Sequence, residues 1–285
     1  MNSAASEDLV RAVLDRLADT PDPRLHTLLT ALVKHLHAFI AETCPSEQEW
    51  LQGLAFLTAV GQKCDDTRQE FILLSDVLGA SMQVVSVQGK RAPGCTESTV
   101  FGPFHVEGAP AVPNGGDLAR GAKGEPCEVH ASVRSADGKP VVGATVDVWQ
   151  SDEDGLYDVQ RPELQRAQGR GVLTTDALGR CWFRSVLPVP YPIPTDGPVG
   201  QLLEATQRSP WRPAHLHFRI LATGYKPLIT HVFRDRDPHL DSDPVFGVRP
   251  SLVADWPMSA DGTHALRYDF VLEPDTAAHS ASAKA

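Results

Sequence analysis

Apolar positions recur every three to four residues through roughly the first ninety residues, the signature of helices buried along one stripe. Residues 6–18 put Leu9, Val10, Val13, Leu14 and Leu17 on such a stripe, and residues 26–40 repeat it with Leu28, Leu29, Leu32, Val33, Leu36 and Phe39. Ser46 with Glu49 forms a capping box that opens a helix over 50–60, and Asp66 with Gln69 opens one over 71–87 in the same way. The stripes are wide and must be covered. The pattern predicts either a bundle within the chain or a helical element that pairs with a second copy.

After Pro93-Gly94 and a Gly/Pro-rich run over 102–124 the period changes from helical to alternating. Residues 127–133 alternate, Asp137-Gly138 is a hairpin turn signal, and 141–149 returns as a strand. Further strands are predicted over 179–186, 215–221, 228–233 and 266–272. Short strands spaced by turns predict an antiparallel β-sandwich. The fold class is therefore mainly β with α: a helical dimerisation or linker domain over 1–95, then a sandwich domain over 96–273. The Ala/Ser-rich tail over 274–285 has nothing to bury and is expected to be disordered.

One strand is chemically unusual. In 215–221, His215, His217 and Arg219 share one face while Leu216, Phe218 and Ile220 share the other. A core strand has no packing use for two imidazoles and a guanidinium, whereas two His at i and i+2 can grip one metal ion from the same side. A half-buried strand with a wet outer face explains the pair as well. The choice needs partners from elsewhere in the chain.

Charge and composition narrow the classes. A formal net charge of -10 over 285 residues argues against nucleic acid as a partner. No apolar run approaches the length of a bilayer span. The acidic start, Met1 to Asp8, lacks the basic-then-apolar pattern of a secretory signal, so a cytoplasmic protein is expected. The five cysteines, scattered and without Cys-x-x-Cys, read as reduced buried thiols.

Two of the four tyrosines sit in loops with chemistry around them. Tyr157 follows Asp154-Gly155-Leu156, and Tyr191 lies among Pro188, Pro190, Pro192 and Pro194, which fix its backbone in advance. Taken singly, each is an ordinary packing or hydrogen-bonding residue. Two phenols with two imidazoles suit hard, trivalent iron, because a phenol with a pKa of ~10 gives up its proton only in an ion's field. Zinc is the metal alternative, although its sites are more often built from Cys, His and carboxylate.

Arg212-Pro213-Ala214-His215-Leu216-His217-Phe218, with Tyr191 in its Pro-rich loop and Tyr157 behind Asp-x-x-Gly-x-Tyr, resembles the intradiol ring-cleavage dioxygenases. The order, spacing and helical prelude are similar to the catechol and hydroxyquinol 1,2-dioxygenase branch over nearly the whole chain. The resemblance implies a non-haem Fe(III) held by Tyr157, Tyr191, His215 and His217, with a solvent hydroxide as fifth ligand. It implies a homodimer through the N-terminal helices, with a bound phospholipid, acting on a small aromatic diol or triol and O2. By the same resemblance Tyr191 is released when the diol chelates, Tyr157 stays, and Arg212 stabilises negative charge developing on the ring.

The resemblance places the substrate pocket at Leu73, Asp76, Val100, Phe101 and Gly102, with Pro103, Phe104, Ile193, Pro194 and Arg212. The run Thr99 to His105 is more similar to hydroxyquinol than to catechol enzymes, and Asp76 inside an apolar run would suit a third ring hydroxyl. An Asp76 that faces water or pairs within the chain fits equally. The expected reaction opens benzene-1,2,4-triol between its adjacent hydroxylated carbons to 3-hydroxy-cis,cis-muconate, or maleylacetate as the keto tautomer. Cleavage of catechol or chlorocatechol is the nearer alternative. Where catechol enzymes commonly carry Gln near the iron, this chain offers His231, a candidate hydrogen-bond donor to substrate. From another class altogether, residues 138–183 also resemble transthyretin-like sandwich modules that only bind.

Overall fold

The computed structural model describes residues 3–66, 68–88 and 91–275. The chain forms two compact units, Met1–Ala59 and Val60–Ala285. Of the predicted disordered tail, residues 276–285 lie outside the described residues.

The first unit holds α1 (Ser3–Asp15), which packs on α2 (Pro23–Thr43), and most of α3 (Glu47–Lys63). Asp22 caps α2, its carboxylate accepting from the N–H of Arg24 at 2.7 Å and of Leu25 at 3.1 Å, with Pro23 in the first turn. The Ser46/Glu49 box forms as predicted: Glu49 N–H donates to Ser46 Oγ at 3.2 Å, and Ser46 N–H donates to Glu49 Oε2 at 2.8 Å. Leu25, Leu28, Leu32, Leu36 and Phe39, one stripe of α2, are all exposed.

The second unit begins with α4 (Glu70–Val77) and α5 (Ala80–Gln88), where one helix over 71–87 was expected. Gly79, at φ 72°, adopts the left-handed conformation that ends a helix, and the axis turns by 73°. The apolar period continues across the break, so periodicity alone could not show it. The Asp66/Gln69 box is not used either, since α4 starts after Gln69 with no side-chain cap.

Two sheets follow. The strands β1 (Gly116–Asp117), β5 (Arg180–Val186), β2 (Pro126–Ser135) and β11 (His264–Leu272) lie side by side in that order. The facing sheet runs β10 (Val253–Ala254), β9 (Leu228–Arg234), β8 (His215–Leu221), β3 (Thr145–Trp149) and β4 (Arg170–Thr174). A two-stranded ribbon, β6 (Tyr191–Pro192) with β7 (Trp211–Arg212), stands beside them. The β-sandwich behind helices is as expected, but the sheets are mixed: β11 runs parallel to β2, β10 to β9 and β1 to β5. In each parallel pair the connection is longer than a hairpin, from 18 residues between β9 and β10 to 128 between β2 and β11, which lets the chain return in the same direction.

Asp137-Gly138 turns the chain as predicted, Gly138 N–H donating to Ser135 O at 2.9 Å. The strand after it starts only at Thr145 and pairs with β4 and β8 in the opposite sheet. Val129, Val133 and Phe183 from one sheet meet Val146, Val148, Leu216, Phe218 and Ile220 from the other. Cys127 and Cys181 are buried thiols, whereas Cys44, in the left-handed position ending α2, is exposed, contrary to the reading of buried cysteines.

Helix α6 (Pro198–Ala205) is pinned to α4. The fully buried Glu70 accepts from Val199 N–H at 3.1 Å and from Arg68 Nε at 2.9 Å, satisfying a helix N–H that has no partner within α6. Glu70→Ala orphans that N–H and should cost about 1–3 kcal/mol, seen as a lower urea midpoint. Glu70→Gln keeps an acceptor and should cost about half as much. Equal costs would show that the helix cap contributes nothing.

Candidate metal centre

The wet-face reading of β8 fails: His215 and His217 are each 1% exposed. Their neighbours supply the missing partners. Tyr191 lies on β6 opposite Arg212 on β7, and Tyr157 opens a 3₁₀ turn over Asp158–Gln160. The four candidate ligand atoms converge. Tyr157 Oη lies 2.8 Å from His217 Nε2 and 3.1 Å from Tyr191 Oη. Tyr191 Oη lies 3.4 Å from His215 Nε2, which is 3.1 Å from His217 Nε2.

Donors sharing one ion at bonds of about 2.0–2.2 Å would stand near 3 Å apart, which these separations match. His215 donates from Nδ1 to Pro213 O at 2.6 Å, leaving its Nε2 lone pair free to point inward. Burial, followed by the charge of Tyr191, raises the Tyr157 phenol well above its ordinary range, while Arg212 and Arg170 oppose the rise. Burial holds His215, His217 and His231 well below the usual imidazole range, so all three are neutral and hold lone pairs. Buried neutral imidazoles beside reluctant phenols are a donor set that a multivalent cation satisfies. Two phenol oxygens favour iron over zinc, so the residues fit the metal.

A second layer holds the four in place. Trp149, paired with His217 in the β3–β8 register, stacks on its imidazole at 4.7 Å and 15°. The backbone of Gly102 lies so close that a Cβ there would stand 3.1 Å from His217 Cε1. These contacts hold a ring whose Nδ1 has no hydrogen-bond partner. His231 stands opposite His217 on β9, bonds through Nδ1 to Thr99 Oγ1, and has no partner at Nε2. His215, His217 and His231 together form a buried imidazole cluster with ligand atoms within 4.8 Å of one another.

Arg212 is buried and reaches His215 Nε2 at 3.3 Å. Burial works against its charge, but Asp243, with Nε to Oδ1 at 3.1 Å, and the two tyrosines more than restore it. Phe104 stacks on Tyr157 at 4.4 Å. Phe101 is partly exposed, 5.7 Å from the Trp149 ring. Asp76 is buried on α4, its carboxyl pushed up by burial and held back by Ser81 and by the charge of Arg212. Leu73, Val100 and Ile193 are buried, Pro194 is half-buried and Pro103 is exposed; none of these five brings a polar or ring contact to the four donors.

Sequence reading missed Trp149, Thr99, Arg170 and Asp243. A buried arginine demands a carboxylate, but the stretch Arg234 to Asp243 offers Asp235, Asp237, Asp241 and Asp243 with nothing to rank them. The pairing of Trp149 with His217 becomes visible only once the β3–β8 register is known.

Residues 101–274 match the Dioxygenase family and residues 22–96 match the Catechol dioxygenase N terminus. The chain is 58% identical over 274 residues to the 6-chlorohydroxyquinol 1,2-dioxygenase of Cupriavidus pinatubonensis, covering 96% of this chain and 99% of that one. It is 53% identical to the hydroxyquinol 1,2-dioxygenase of Rhodococcus opacus, over 91% of this chain and 87% of the other. The crystal structure of hydroxyquinol 1,2-dioxygenase from Pseudomonas putida DLL-E4 superposes with a TM-score of 0.90 at 43% identity, covering 96% of this chain and all 100% of that one. The transthyretin-like reading of 138–183 as a module that only binds is set aside, because the relatives that match nearly the whole chain are dioxygenases. Two matched segments, full-length relatives and a buried tyrosine–histidine cluster lead to one conclusion: the chain belongs to the intradiol ring-cleavage dioxygenases, a family of non-haem iron enzymes.

Proposed function

We propose that this chain is a Fe(III) dioxygenase that opens benzene-1,2,4-triol between its adjacent hydroxylated carbons. Both atoms of O2 enter the product, 3-hydroxy-cis,cis-muconate or its tautomer maleylacetate, and no external reductant is needed. The observation that carries the triol reading is Asp76. It is a buried carboxyl in an apolar helix, held by the Ser81 hydroxyl and felt by Arg212, with no cation paired to it. One hydroxyl does not use up a carboxyl's acceptor sites, and a third ring hydroxyl is a further donor that catechol lacks. Four relatives at 45–53% identity bear the name hydroxyquinol 1,2-dioxygenase, which supports the same reading.

In this reading Tyr157, Tyr191, His215 and His217 hold the ferric ion, which when bound supplies Lewis acidity to the diol and O2. Tyr191, the phenol facing Arg212 across the ribbon, accepts a diol proton at its Oη and swings away. Tyr157, stacked under Phe104, stays. Arg212 stays charged in a dry site and stabilises negative charge that develops on the ring. His231 offers its unpartnered Nε2 to substrate as a hydrogen-bonding group. Gly102, Phe101, Phe104, Val100, Leu73, Ile193 and Pro194 shape the pocket around the ring, with Pro103 at its rim.

The exposed Leu and Phe stripe of α2 supports pairing of two copies through the helical domain of residues 1–95, with lipid acyl chains as a further cover for the same surface. The catalytic domain is 96–273, and the enzyme works in the cytoplasm. Among the described residues no single helix is long and apolar enough to cross a membrane.

Oxygen uptake by the iron-loaded protein, corrected for autoxidation, should favour the triol over catechol at least tenfold in kcat/KM, about 1.4 kcal/mol. Asp76→Val should shrink that preference to about threefold or less, because the site then has nothing left to pair with the extra hydroxyl. Equal or better turnover of catechol by the unaltered protein would remove the triol assignment while leaving the iron chemistry intact.

A further inference from the structure

Arg170 opens β4 directly opposite Trp149 and is buried, yet it belongs to neither the donor set nor the pocket. Its guanidinium is spent on two loops at once. Nε donates to both carboxylate oxygens of Asp158, at 2.9 and 2.8 Å, Nη2 donates to Oδ1, and Nη1 donates to the carbonyl of Phe104 at 2.9 Å. The Asp158 carboxylate is used on its other sides as well, accepting from Gln168 N–H at 3.1 Å and Val159 N–H at 2.9 Å.

Both loops end on the same phenol. Asp158 is the residue after Tyr157, and the turn it opens closes on Tyr157 from both directions. Tyr157 N–H donates to Gln160 Oε1 at 2.9 Å, and Gln160 N–H donates to Tyr157 O at 2.9 Å. On the other side, the Phe104 ring lies against the Tyr157 ring at 4.4 Å and 22°. A single planar fork therefore fixes the backbone that carries Tyr157 and the loop whose ring presses on it. Lysine, a point charge with no fork, cannot span the carboxylate and the carbonyl with the same geometry.

We propose that Arg170 is a positioning residue: through Asp158 and Phe104 it sets the Tyr157 phenol toward the iron and couples that phenol to the loop over 101–104 that meets the substrate. The inference rests on Tyr157 being an iron ligand, so Tyr157→Phe serves as the internal reference.

The experiment uses iron-loaded, full-length protein and reads the visible phenolate-to-iron band without substrate, the melting temperature, and kcat and KM on benzene-1,2,4-triol. Arg170→Gln, Arg170→Lys and the milder Asp158→Asn should each displace the band and lower kcat about 10- to 100-fold, the usual scale for outer partners of a metal site. Lysine should rescue neither. Thr175→Val, which removes a buried hydrogen bond to Val141 O at the far end of β4, should lower the melting temperature and leave the band unmoved. If Asp158→Asn and Arg170→Lys melt earlier but keep the parental band and kcat, Arg170 is only structural and the inference is overturned. If Tyr157→Phe itself keeps the parental band, the ligand assignment fails instead, and the two failures stay distinct.

Discussion

Iron-loaded protein carrying His217→Ala is expected to hold its metal poorly, to lose the visible band and to turn over about three orders of magnitude more slowly. His217 Nε2 is central to the cluster, 2.8 Å from Tyr157 Oη and 3.1 Å from His215 Nε2. Removing it takes away one neutral nitrogen donor and the ring on which Trp149 stacks. Three remaining donors would hold the metal less tightly and place it less well against the substrate, and a loss of several kcal/mol of transition-state stabilisation, at about 1.4 kcal/mol per decade, corresponds to that fall in rate. The informative comparison is His231→Gln. His231 is as deeply buried, and its Nε2 faces the same cluster, but in the proposed reading it is a hydrogen-bonding group and not a ligand. Glutamine keeps a donor and an acceptor, so iron content and band should persist and kcat should fall by about tenfold or less. Iron content measured on both variants separates the roles. Metal loss in His231→Gln with retention in His217→Ala would exchange the two assignments.

How much of this was legible in the sequence depends on which physical signal each feature leaves. The alternation of His215, His217 and Arg219 against Leu216, Phe218 and Ile220 states the two faces of β8 outright, because a strand's period is fixed by its backbone. The prolines around Tyr191 likewise announce a backbone fixed before anything binds, although the loop expected there is in part the short strand β6. Local signals fail where pairing decides. Nothing in the apolar run over 71–87 separates a straight helix from one that turns at Gly79. Nothing near Asp137-Gly138 shows that the next strand crosses to the other sheet. The parallel pairing of β11 on β2 arises from a return path of more than a hundred residues, which no short window reports. The same limit hides the second layer of the site. Trp149 and Arg170 face each other in the register of β3 and β4, one stacking on His217 and the other forking to Asp158 and the Phe104 carbonyl beside Tyr157.

Arg212→Met should separate the stability of the site from its chemistry. Arg212 and Asp243 form a buried pair, side chains 4% and 2% exposed, with Nε to Oδ1 at 3.1 Å. Deleting the guanidinium strands the carboxylate, and breaking such a pair costs about 3–5 kcal/mol. It also removes the guanidinium that reaches His215 Nε2 at 3.3 Å, and a lost preorganised charge of this kind costs about 10²–10³-fold in kcat. The two losses have different cures. In Arg212→Met with Asp243→Asn the uncompensated charge is gone. The Asn oxygen can still accept from Gly247 N–H, which Asp243 Oδ2 now does at 2.9 Å. The double variant should therefore recover most of the folding free energy in urea titration while its turnover of benzene-1,2,4-triol stays about 10²–10³-fold down. Recovery of turnover along with stability would mean that Arg212 acts on the reaction only by holding Asp243 and the loop around Gly247, and the electrostatic role assigned to it would be lost.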